Sequence, residues 1–141
     1  MLSASLNRLV LSQASRINWQ PSDNAPETYE DLRQAYASLG YIPVSPIGCE
    51  TSIYGDARVN LASRAWHDAT HLQHGLGFNA SDEIAVARIQ CASAGIARDR
   101  ALLWADIAGQ VRYFETFGEF PNDQKAFVLD YVACGIVRKR F

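Results

Sequence analysis

All three histidines of the chain fall within eight residues, at positions 67, 71 and 74 of Trp66-His67-Asp68-Ala69-Thr70-His71-Leu72-Gln73-His74. In a helix each residue turns the chain by about 100°, so separations of three, four and seven return to nearly the same direction. His67 and His71, one turn apart, can then point at one divalent cation, as the histidines of the helical H-E-x-x-H zinc motif do. That motif carries a glutamate general base after its first histidine. Here the position holds Asp68, one methylene shorter, which can serve as base or as a further ligand. His74 is a further ligand, a proton carrier or a surface residue in the last turn.

The apolar residues of the same segment, Val59, Leu61, Ala62, Ala65, Trp66, Ala69 and Leu72, occupy roughly the opposite half of the wheel. The histidine face is therefore either solvated, with Asn60, Ser63 and Arg64, or the wall of a polar cleft closed by other helices. The next segment, Asp82 to Ala94, bears on that choice. Its apolar residues point almost all round the axis, which predicts a helix buried on most sides. Glu83 stands in its first turn, with Ala87, Gln90 and Ala94 along one strip. A buried carboxylate must be neutral, paired or metal-bound. Either the helix N-terminus satisfies Glu83, or a short glycine-rich reversal brings it to His67 and His71 as a third ligand. In the following helix Asp106 and Gln110 are one turn apart among Leu102, Leu103, Tyr113 and Phe117, and either accept the imidazole N–H groups or bond only to backbone, Arg112 and Tyr113.

His67, Asp68, His71 and, after eleven residues, Glu83 form H-D-x-x-H-x11-E. This resembles the zinc-ligand motif of the coenzyme Q biosynthesis protein 4 family, helical proteins associated with ubiquinone assembly and oxidative removal of the ring carboxyl group. The resemblance implies that these four residues correspond to metal-binding positions. It covers about 17 residues, or about 30 with Arg64 and the helix that follows. The chain is much shorter than typical family members and its carboxyl half does not match them.

Two histidines and one carboxylate leave an open position on zinc, which permits metal-assisted hydrolysis, and the same set suits iron(II) and oxidative chemistry. The alternative is a non-enzymatic binding or inhibitor module in which the cluster is a structural metal site or a plain polar network. Phosphohydrolase chemistry of the His-Asp type needs a histidine upstream of His67, and there is none. Cys91 and Cys134 lie in apolar helices with no histidine near them in sequence, which gives cysteine catalysis little support.

The elements that must position these residues read as an all-α single domain spanning 1–141, a compact bundle of about five or six helices. An amphipathic first helix carries Leu2, Leu6, Leu9 and Val10. A loop follows, and Pro26 with Glu27 opens a helix to Leu39 that Gly40 ends. Residues 40–56 form an irregular, proline-broken connection with at most one short strand pair. Ala57 to His74 is helical and stops at Gly75 and Gly77, after which Asn79 or Ser81 caps the next helix. Arg98 to Phe117 forms another, ended by Gly118. Pro121 opens the last, predicted to run through Arg138, Lys139 and Arg140 at the carboxyl end of its dipole.

The 141 residues are 48% apolar and 20% charged, with net charge -2 from 13 basic and 15 acidic residues spread along the chain, so nucleic acid is not the favoured partner. The odd number of cysteines, Cys49, Cys91 and Cys134, fits reduced thiols and a cytoplasmic compartment. The Arg- and Ser-containing start also has the features of a mitochondrial presequence. No stretch approaches the ~20 apolar residues of a membrane span. The partner is a small molecule or a macromolecule of unknown kind, and the 11% aromatic content suits an interface or homo-oligomer.

Overall fold

The computed structural model describes residues 1–141. Its elements are α1 (Ala4–Ala14), β1 (Trp19–Pro21), α2 (Tyr29–Leu39), β2 (Ile42–Val44), α3 (Ala57–His74), α4 (Ala80–Ala92), α5 (Ala97–Trp104), a π turn (Ala105–Gly109), α6 (Gln110–Phe117) and α7 (Gln124–Cys134). The π turn joins α5 to α6 without a break, so the chain forms six helical rods, an all-α bundle with a minimal parallel sheet. No helix is long and apolar enough to cross a membrane.

The long helix α3 runs through the middle because it is apolar on two sides. Val59, Ala62 and Trp66 join Leu6 and Val10 of α1, Leu102 and Leu103 of α5, and Phe127, Val128 and Tyr131 of α7 in the main core. On its other side Ala65 meets Leu32 of α2 and Ile42 and Val44 of β2 in a small second core. The third side carries the histidines. α1 is fixed by its cap residue Ser3 and by Ser5, whose hydroxyls both donate to the buried Asp99 carboxylate at 2.5 Å.

Several elements depart from the sequence-based expectation. The second helix begins at Tyr29 rather than Pro26, because the Thr28 side chain caps the Asp31 amide. The strand pair is not confined to 40–56. β1 comes from the loop before α2 and pairs in parallel with β2, Trp19 opposite Ile42, with α2 as the crossover. α4 is less enclosed than predicted: Val86, Ala87 and Gln90 are buried while Arg88 is exposed. The last helix starts at Gln124, capped by Asp123, and stops at Cys134 with Gly135 at φ +66°, so Arg138, Lys139 and Arg140 lie beyond it. Arg138 and Arg140 fold back to pair with Asp130, and Lys139 pairs with Glu119, instead of facing the helix dipole.

The π turn reflects close packing on α7. A Cβ at Gly109 would sit 3.2–3.3 Å from the rings of Tyr131 and Phe127, and Ala105 and Ala108 beside it are buried. Small residues here let α7 approach, and the widened turn carries Asp106.

Candidate metal centre

Gly75 controls the site. It ends α3 in the left-handed region at φ +64°, which an L side chain adopts only under strain, and its amide and that of Leu76 both donate to the His71 carbonyl. The chain then reverses within five residues. Asp82 accepts from the Gly77 amide at 2.8 Å and the Asn79 side chain at 2.9 Å, while Asn79 caps the Asp82 amide at 2.9 Å. These bonds fix where α4 starts, and so where Glu83 stands.

Glu83 thereby faces the histidines. Its Oε2 lies 3.0 Å from His67 Nε2 and 3.3 Å from His71 Nε2, and the two imidazole nitrogens are 3.1 Å apart. One ligand atom from each of His67, His71 and Glu83 lies within 4.8 Å of the others, a group that could hold a metal ion. His71 is fully buried, with the Phe78 ring edge-on at 4.9 Å, whereas His67 and Glu83 keep side-chain exposures of 23% and 19%. The centre is closed at its base and open at one edge.

The other imidazole nitrogens determine which form is present. His71 Nδ1 is 3.0 Å from the Leu76 carbonyl and His67 Nδ1 is 2.8 Å from Gln90 Oε1. A carbonyl oxygen only accepts, so both Nδ1 atoms carry hydrogen and both Nε2 atoms carry a lone pair in the neutral ring. Two lone pairs and a carboxylate oxygen are thus turned on one point. Such an arrangement repels itself unless a cation, a proton or a metal ion, lies between them. The donor set fits a divalent metal: neutral imidazoles held by their distal nitrogens, plus one carboxylate.

The electrostatics express the same convergence. Burial pulls the His67 pKa down, but the hydrogen bond and charge of Glu83 outweigh it and leave the ring above its ordinary value. Burial works to raise Glu83, yet its hydrogen bonds and charge interactions with His67 and His71 carry it down to about 2.

A cavity of about 790 Å³ adjoins the centre, with His67, Asp68, Glu83 and Gln90 in its wall. The histidine face therefore lines a polar cleft rather than bulk solvent. Asp68 stands in that wall outside the converging group, and burial, against the attraction of His67 and His71, raises it to about 6. Arg64 donates to the carbonyls of Ser45, Ile47 and Gly48 and ties the irregular connection to α3. His74 is exposed in the last turn, outside the group.

Asp106 and Gln110 line the same cavity but do not meet the imidazoles. Gln110 Nε2 donates to Asp106 Oδ1 at 3.0 Å, and the buried Tyr54 hydroxyl donates to Asp106 Oδ2 at 3.2 Å. Burial raises Asp106 to about 6 despite these two bonds. The partners expected of them are Gln90 and the Leu76 carbonyl, because α4 presents Gln90 two turns below Glu83 on the same strip. That strip was visible in the sequence; the role of the backbone carbonyl was not. No protein-family model, curated protein or solved structure matches the chain.

Proposed function

We propose that His67, His71 and Glu83 bind a divalent cation, zinc foremost and iron(II) second, and that the protein is an enzyme acting on a small molecule in the adjoining cavity. The convergence of two imidazole lone pairs and a carboxylate oxygen at the wall of that cavity carries the reading. A cation so held supplies Lewis acidity, for a hydrolytic step with zinc or an oxidative one with iron(II). The cavity's access to His67 and Glu83 favours this over a closed structural centre.

The chain's own groups have distinct tasks in this reading. Glu83, ionised throughout the neutral range, supplies fixed negative charge. Asp68, at about 6, exchanges a proton close to neutral pH and is the candidate general base. Gln90 and the Leu76 carbonyl hold the rings in register and fix their tautomers. Trp66, Phe78, Leu103 and Ile107 give the cavity apolar walls that limit the water around a bound substrate. The resemblance of H-D-x-x-H-x11-E to the coenzyme Q biosynthesis protein 4 family makes oxidative removal of a ring carboxyl group the first reaction to assay.

Elemental analysis of the purified protein beside a His71→Ala variant tests the centre. Stoichiometric metal in the parent and almost none in the variant, with unchanged circular dichroism, is the expected result. Equal metal in both proteins overturns it.

A further inference from the structure

One wall of the cavity contains a polar group that the protein leaves without a partner. Asn60 precedes His67 by seven residues on α3, two turns and therefore the same face, and is 5% exposed. Its Nδ2 has no hydrogen-bond partner, while its Oδ1 receives only a long contact of 3.4 Å from the Ser63 hydroxyl. Two other buried polar atoms lack partners, Asn7 Oδ1 and Ser52 Oγ, and neither residue lines the cavity. A buried donor left unpaired is costly, and in a cavity wall a ligand can relieve that cost. Nδ2 is itself covered from solvent, but the terminal torsion of an asparagine is soft, so rotation about it can turn the N–H towards a bound molecule.

The lining defines which acceptor suits that donor. Glu27, Asp68, Glu83, Asp106 and Glu115 face the cavity against one guanidinium, Arg64, which is engaged with three backbone carbonyls. This excess of negative charge disfavours a carboxylate or phosphate away from the cation. The acceptor left is an uncharged oxygen. Seven residues at 1.5 Å each place it about 10 Å along the helix from His67.

Resting on the reading of His67, His71 and Glu83 as a cation site, we propose that Asn60 determines specificity at the far end of the cavity. Its amide N–H binds an uncharged hydroxyl, carbonyl or ether oxygen of a substrate whose reacting end lies at the cation. Any acidic group of that substrate belongs at the cation end.

Three hydroxamates that differ only at the far end of one chain test this on the zinc-loaded protein: octanohydroxamic acid, its 8-hydroxy derivative and suberic acid monohydroxamate. In the parent the hydroxyl compound is expected to bind about tenfold more tightly than the unsubstituted one, as one hydrogen bond allows, and the carboxylate more weakly than either. Asn60→Leu, close in shape, loses the hydroxyl preference, keeps affinity for octanohydroxamic acid, and melts no lower than the parent because an unpaired amide is gone. Asn60→Ser, which withdraws the N–H but keeps the wall polar, loses the preference too. A hydroxyl preference unchanged in both variants, or a carboxylate probe bound as tightly as the hydroxyl one, overturns the role of Asn60 and leaves the cation site standing. Zinc-independent binding of octanohydroxamic acid overturns the cation site, and the inference with it.

Discussion

Glu83 at the start of α4 and Asp106 in the π turn line the same cavity, yet one carboxyl is held at about 2 and the other at about 6. Both lie where burial penalises their charge. The difference lies in their partners: Glu83 faces two imidazoles that can share a positive charge, whereas Asp106 receives one phenol and one amide, both neutral donors. Neutral donors stabilise a carboxylate less than an opposite charge does, so only Glu83 recovers what desolvation costs. One acid is therefore an anchor for a cation, and the other a group that releases its proton just below neutral pH.

The widest separation between the two acids is expected in metal affinity. Glu83→Gln removes the only charged donor of the group and should weaken zinc binding by more than roughly a hundredfold, beyond the loss usual for a supporting residue. Asp106→Asn should leave affinity within about twofold to threefold, since Asp106 touches neither imidazole. Calorimetric titration with zinc measures both. Saturating zinc should also raise the melting temperature of the parent and of Asp106→Asn but not of Glu83→Gln, because a ligand stabilises only the folded state it binds. Similar affinities for the two variants would erase the distinction.

Gln90→Leu comes next. Its Oε1 fixes Nδ1 of His67 as a donor, and without it the ring can present either nitrogen. Zinc affinity should fall about tenfold to a hundredfold while the stoichiometry is unchanged, in the same titration. The matching support of His71 is the Leu76 carbonyl, which no side-chain substitution removes. An unaffected affinity would mean that packing alone orients His67.

How far the sequence led follows from the range of the interactions. The bounds of α3, its stop at Gly75 and the Asn79 cap were legible, because helix periodicity, a left-handed glycine and an Asx cap act within a few residues. The convergence of His67, His71 and Glu83 needs only two helices and one tight reversal, so it was legible too. The partner of Asp106 was not: Tyr54 comes from an irregular segment 52 residues away, where no periodicity announces a contact. The pairing of β1 with β2 across α2 is non-local in the same way. Gly135 misled because an isolated glycine within an apolar run reads as a tolerated helix interior, whereas here it sits at φ +66° with its amide on the Tyr131 carbonyl, a local left-handed stop. The histidine face itself was ambiguous, since spacing says which side chains share a direction but not what lies opposite them.

The smallest expected effect concerns stability and has a definite sign. Asp106 has a folded pKa of about 6, against an ordinary value of 3.8, so between these pH values the folded protein binds the proton that the unfolded chain has lost. The folded state is favoured by that proton at low pH and loses its advantage as pH rises from about 4 through 6. Above 6 the parent carries an ionised, half-buried carboxylate. Asn at this position can still accept from Gln110, and its amide can donate to the Tyr54 oxygen, so Asp106→Asn removes the charge while keeping the bonds. Denaturant unfolding at pH 7.5 should find the variant more stable by about 1–3 kcal/mol, the upper figure being two pKa units at 1.4 kcal/mol each. Near pH 4 the difference should fall almost to zero. A gap that stays constant across this range would place its origin in packing rather than in the carboxyl proton, and Asp106 would then no longer contrast with Glu83.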